Sequence, residues 1–244
     1  MSKKKARWRK LDNAAKLYSA ASNKKDTRVF RFYCELKEKV DSDVLQEALN
    51  QTIETFPTFL MVLRKGFFWH YLEPCNLRPI VKEEYKEPCS RLYIRDKKTL
   101  LFEVTYYKKR INFEVFHVLT DGTGATEFLK ELVKNYLYFA HKEEGLEQVA
   151  LLPEDMTVQD QEDDSFLKYY SKDQKRPKKR KLNAFQIRRK KKDGNHLHVH
   201  ESVVSVQAVL KRSRELGVSM TIFLTALFMM AINEEMSKMQ KKKP

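Results

Sequence analysis

The stretch that most constrains this chain runs from Thr99 to Ala140. Two segments, TLLFEVTYY and RINFEVFH, are rich in β-branched and aromatic residues and flank a short basic turn near Lys108–Arg110. That is the pattern of a β-hairpin. Its second strand runs directly into His117, and four residues later come Asp121 and Gly122. Beyond them Phe128, Leu129, Leu132, Val133, Tyr136 and Leu137 recur at helical spacing, which predicts an amphipathic helix of about four turns. The order is therefore strand, histidine-bearing loop, helix, and it predicts a mixed α/β (α+β) fold.

The rest of the chain fits the same class. Residues 27–37 alternate, with Phe30, Phe32, Cys34 and Leu36 on one side and Arg31, Tyr33, Glu35 and Lys37 on the other, so a half-buried strand is expected. Asp41–Asp43 supply capping side chains for a helix in which Val44, Leu45, Ala48, Leu49, Ile53 and Phe56 face inward, ended by Pro57. FLMVLRKGFFWHYLEP, residues 59–74, predicts two strands around a turn at Lys65–Gly66. Residues 142–164 are acidic and residues 172–194 densely basic, the composition of a long connection between two lobes. A strand is expected at 196–205, a helix ending at Gly217, and a buried helix over 220–236. No internal repeat is visible.

Composition narrows the function classes. With 244 residues, 42% apolar and 11% aromatic, the chain is long enough for one large domain or for one domain and part of a second. Its net charge of +15, from 48 Lys+Arg against 33 Asp+Glu, favours an anionic partner without naming one. Cys34, Cys75 and Cys89 lack a CxxC spacing and cannot all pair with one another, which suits reduced thiols in a cytoplasmic protein. The basic N-terminus has no apolar core of a secretory signal. The apolar run 220–232 falls short of the roughly 20 residues that a membrane-spanning helix needs.

The chemistry of the central loop centres on His117. An imidazole exchanges protons near neutral pH, and at a strand end it can project into a cleft. Gly122 and Gly124 offer close backbone approach to a ligand, and the helix that follows begins with a partial positive charge. Asp121 either orients the imidazole directly or holds the loop by pairing with an arginine. An Asp-Gly pair is also a common turn, and a single histidine at a strand end is often structural.

The string HVLTDG resembles the second half of the HHxxxDG signature of the CoA-dependent acyltransferase superfamily. RKLDNAAKLY, the helix ending on Phe56-Pro57, and residues 202–232 resemble further segments of that family in its own order. The likeness is strongest to the alcohol-acetyltransferase-like branch. It implies a chloramphenicol-acetyltransferase-like fold with a mixed sheet and flanking helices. It implies that His117 is the catalytic base, with Asp121 a structural motif residue and Gly122 and Gly124 beside the substrate. The first histidine of the signature is replaced by Phe116.

The implied reaction is transfer of an acyl group, acetyl foremost, from CoA to an alcohol or amine. Acyl-CoA would be a co-substrate, with no tightly bound cofactor and no metal. The domain reading is a motif-bearing lobe over 1–150, a charged connection over 151–195 and the beginning of a second lobe over 196–244. No DFGWG-like string is present, so the resemblance implies an incomplete second lobe, and a second chain could supply the missing part. The alternatives are an inactive remnant or interaction module and, third, a nucleic-acid-binding protein. The basic run 172–192 lacks interleaved aromatics, which disfavours nucleic acid. His196, His198 and His200 share one face of the expected strand but have no carboxylate or cysteine at ligand spacing, so a metal is not expected.

Overall fold

A computed structural model describes residues 8–23, 25–67, 69–95, 97–144, 185 and 199–237. The chain forms two compact units, Met1–Ser171 and Lys172–Pro244.

Among the described residues, the first unit is built on two sheets and three α-helices. In the larger sheet, strand β2 (Val29–Glu35) lies antiparallel to β7 (Arg110–Phe116), with Val29 opposite Phe116 and Glu35 opposite Arg110. On its other side β7 pairs with β6 (Phe102–Tyr107), and β6 with the short parallel strand β5 (Lys82–Glu83). The β6–β7 hairpin turns at Lys108, whose φ of +54° is a left-handed conformation. The smaller sheet has the order β1 (Arg9–Lys10), β4 (His70–Pro74), β3 (Met61–Lys65).

Helices α2 (Ser42–Thr55) and α3 (Gly122–Ala140) pack on each other, and α3 also packs on β2. Asp41 caps α2 by accepting from the backbone N–H of Asp43 at 2.9 Å and of Val44 at 3.1 Å. The core gathers Phe102, Val104, Ile111, Phe113 and Val115 of the sheet with Leu45, Leu49, Phe128 and Leu132 of the helices. Phe128 packs against both Phe113, at 4.6 Å, and Phe59, at 4.4 Å. Truncating such a ring costs about 3–5 kcal/mol, because the cavity adds to the lost transfer energy. The buried face of α3 is rotated from the expected stripe. Leu137 is exposed and Leu129 and Val133 only half-buried, whereas Glu131 and Asn135 are buried. Asn135 explains part of this, since its amide donates to Thr52 of α2 at 3.1 Å.

Strand β2 has the expected inner face, but its outer face does not meet solvent throughout. The Arg31 side chain is only 12% exposed and Glu114, opposite it on β7, only 3%. The chain around residues 84–89 covers them: Glu84 accepts from Arg31, and the N–H of Cys89 donates to Glu114 at 2.6 Å. A strand's alternation distinguishes two faces, not whether a later segment covers the second one.

The β3–β4 turn also differs from expectation. The Gly66 N–H donates to the Trp69 carbonyl at 2.7 Å, so Gly66 belongs to the paired arms and residues 67 and 68 form the connection. A side chain at Gly66 would place its Cβ 2.9 Å from that carbonyl, which is why the ladder admits glycine there.

The second unit contains α4 (Val206–Glu215) and α5 (Met220–Glu235), capped by the hydroxyls of Ser205 and Ser219. Gly217, at φ +66°, turns the chain out of α4. Two expectations fail here. Of the strand expected at 196–205, the described residues 199–205 form none, and Val199, Val203 and Val204 are exposed. A strand needs a neighbouring ladder for its backbone groups, and the described residues offer none to this segment. Helix α5 forms but is not buried: Phe228 is 66% exposed, and Ile222, Met229 and Met230 are similarly open. It is apolar on every side, and within the described part of its unit α4 cannot cover a surface that runs all the way round. No single helix among the described residues is long and apolar enough to cross a membrane.

Candidate active site

The loop between β7 and α3 is held from both ends. At the strand end the His117 N–H donates to the Arg28 carbonyl at 3.0 Å, extending the β2–β7 pairing by one residue. Arg28 adopts φ +56° there, outside the ordinary range for a side-chain-bearing residue. At the helix end Asp121 is the cap of α3, its Oδ1 accepting from the Gly124 N–H at 2.9 Å. Between them Val118 and Leu119 are buried and anchor the turn.

Because side chains alternate along a strand, His117 falls on the same face as Phe113 and Val115, toward Phe30 of β2. The His117 ring lies 4.7 Å from that of Phe30. It is also stacked on Tyr18, at 4.0 Å between centroids and 14° between planes. Tyr18 comes from helix α1 (Asn13–Ala21), which Asp12 caps through the Ala15 N–H. The imidazole thus packs against two aromatic rings, one from α1 and one from β2. It is half-buried, yet its ring nitrogens make no hydrogen bond among the described residues and are not among the buried unpaired atoms. They remain open to an incoming group. An imidazole packed in this way, with free nitrogens, can accept a proton and return it without first breaking an internal bond.

The other motif residues have plainer places. Asp121 is exposed, and among the described residues its side chain reaches neither the His117 ring nor an arginine; it caps the helix through the Gly124 N–H. Gly122 and Gly124 occupy the first turn of α3 with no left-handed backbone. A Cβ at Gly122 would meet only Phe32, at 3.9 Å, whereas one at Gly124 would fall 2.2 Å from the Thr120 hydroxyl. Close approach at Gly124 is therefore by the loop's own Thr120. The Asp121 carboxylate already occupies the positive end of α3, which weakens that end as a site for a developing anion. Phe116, at the position of the first signature histidine, is fully buried and stacked on Tyr93 at 6.0 Å. It belongs to the packing of the sheet.

Tyr18 and Phe30 are the site residues that sequence reasoning did not single out. Phe30 was legible as an inward-facing position of β2, and Tyr18 closes the string RKLDNAAKLY, but their meeting at His117 is a tertiary contact. His196, His198 and the basic run 172–192, Phe185 excepted, lie outside the described residues. His200 is exposed, and no group of metal-ligating side chains occurs among the described residues.

No protein-family model matches the chain, and none of the curated proteins does. Among solved structures it is similar to the starter condensation domain of rhizomide synthetase, with 12% identity and a TM-score of 0.47 over 59% of this chain and 40% of that one. A variant of that domain has been solved in complex with C8-CoA. The chain is also similar to the first condensation domain of the calcium-dependent antibiotic synthetase, with 14% identity and a TM-score of 0.45 over 60% of this chain and 40% of that one. A third similar structure is polyketide synthase associated protein 5 from Mycobacterium tuberculosis, at 15% identity and a TM-score of 0.40 over 60% and 36%. The chain spans about 40% of the length of the condensation domains it is similar to.

Proposed function

We propose that His117 is the general base of an acyl transfer from a CoA thioester, acetyl-CoA foremost, to an alcohol or amine. The observation that carries this reading is the imidazole packed against two aromatic rings, its nitrogens without a hydrogen bond among the described residues, at the position where HVLTDG resembles the acyltransferase signature. His117 takes the proton from the acceptor hydroxyl or amine as its lone pair attacks the thioester carbonyl. The tetrahedral intermediate then expels the CoA thiolate, and the same imidazolium returns the proton to that sulfur. No covalent enzyme intermediate forms, so no serine or cysteine nucleophile is required.

In this reading Tyr18 and Phe30 are positioning residues. They fix the plane of the ring, and their faces stabilise the positive charge it carries between the two proton transfers. Asp121 acts through the loop, holding the first turn of α3 against the strand end.

The test is thiol release from acetyl-CoA over a panel of alcohols and amines, with circular dichroism to confirm the fold of each variant. His117→Ala is expected to lower turnover by a factor of order 10² to 10⁴. Tyr18→Leu is expected to lower kcat by roughly 2- to 13-fold, the equivalent of an aromatic pair contribution of about 0.5–1.5 kcal/mol. Unchanged turnover in a folded His117→Ala variant, or none from the unaltered chain with any acceptor, would overturn the proposal.

A further inference from the structure

The β3–β4 hairpin breaks a local rule. Its arms close at the bond between the Gly66 N–H and the Trp69 carbonyl, leaving positions 67 and 68 as a two-residue connection. Such connections favour Gly, Asn or Asp, which tolerate the left-handed backbone of the common hairpin turns. Here both are phenylalanines, and a tryptophan follows. Phe67 is 94% exposed and Trp69 62%. Large aromatic rings exposed at the end of a hairpin are costly for folding alone, and places where a sequence breaks its local rules are where function is sought.

The surroundings of the tip are cationic. Residues 61–72 contain no acidic side chain, while Arg64, Lys65 and His70 flank the aromatic residues. Glu73, beyond them, is paired with Arg64 at 3.0 Å. Burial, and after it the charges of Lys65 and Arg95, hold the His70 imidazole below its ordinary range, the sign of a positive field at the hairpin's base. An exposed apolar tip with Lys65 and Arg95 as its basic collar complements a surface that is anionic outside and apolar beneath, as a bilayer's headgroup boundary is. Tryptophan favours that boundary, and each nearby Lys or Arg adds attraction to anionic lipid. A second copy is the poorer occupant, because two such collars on chains of net charge +15 repel each other.

We propose that the β3–β4 hairpin is a docking finger that inserts Phe67 and Trp69 into the headgroup boundary of an anionic lipid bilayer. The finger does not depend on the acyl-transfer reading; it determines where the chain works, not what it catalyses.

The full chain contains two tryptophans, so Trp8→Phe leaves Trp69 as the only one. That variant is mixed with vesicles of phosphatidylcholine alone, or of phosphatidylcholine with phosphatidylserine. With the anionic vesicles, Trp69 emission is expected to shift to the blue and to be quenched by lipids brominated in the acyl chain. Phe67→Ser is expected to weaken vesicle binding at least about tenfold, the scale of losing one buried ring. Lys65→Gln should weaken it by about fivefold. Three outcomes overturn the proposal. One is binding to vesicles with Trp69 emission unmoved, which would assign the attraction to the basic run 172–192. Another is Trp69 emission already blue before lipid is added, which would mean that protein covers the tip, with the mass in solution separating this chain from a second copy. The third is failure of anionic vesicles to bind the chain.

Discussion

Replacing Asp121 by Ala and by Asn separates two ways in which one carboxylate can hold a loop. In the structure its Oδ1 accepts from the Gly124 N–H at 2.9 Å, and the residue is exposed in an extended conformation, φ −90° and ψ −173°. That is an ordinary cap geometry, and removing a cap acceptor costs about 0.5–2 kcal/mol. Asparagine keeps the acceptor and loses only the charge at the helix start, worth about 0.3–1 kcal/mol. A desolvated pair with an arginine would behave differently, because breaking it costs about 3–5 kcal/mol whether the replacement is Asn or Ala. Urea unfolding followed by tryptophan fluorescence reports the first unit, since Trp8 and Trp69 both lie in it. With equal denaturant slopes the midpoints give the differences directly. The expected order is wild type, then Asn slightly below, then Ala. Asparagine as harmful as alanine, or either costing more than about 3 kcal/mol, would refute the cap and restore a buried charged partner.

Two further predictions concern the cover of the sheet and the hairpin. Arg31→Met removes the cation shared by Glu84 and Glu114 and is expected to destabilise the first unit by about 3–5 kcal/mol. Glu114→Gln in the same chain should recover part of that loss, whereas strictly additive effects would show that the two side chains are not coupled. For His70 the folded state disfavours the proton, so the unfolded chain binds more protons in the window just below the ordinary histidine range. Stability should therefore fall as pH drops through that window, and the slope should flatten in His70→Gln; an unchanged slope would dissociate His70 from the effect.

Much of the local structure was legible in the sequence, because it depends on neighbours a few residues apart. The inward face of β2, the capping of α2 by Asp41, the end of that helix before Pro57 and the path from β7 through His117 into α3 all follow from alternation, helical spacing and short polar side chains. The mixed α/β class follows from their order. Motif spelling marked His117 and Asp121, but not what each touches.

What the tertiary structure alone decided is which surfaces meet. Periodicity distinguishes the two faces of a strand or the sides of a helix, and it is silent on whether a remote segment will cover them. Arg31 was a solvent-face residue by alternation and is nearly buried, because Glu84 and the Cys89 backbone, more than fifty residues away, close over it. Apolar content predicted a buried helix over 220–236, and the helix forms with its side chains open, because burial requires a partner surface and helix propensity does not. The aromatic packing at His117 has the same origin. Tyr18 and His117 are far apart in the chain, and only the packing of α1 near the end of β7 turns an ordinary tyrosine into the wall against which the imidazole stands.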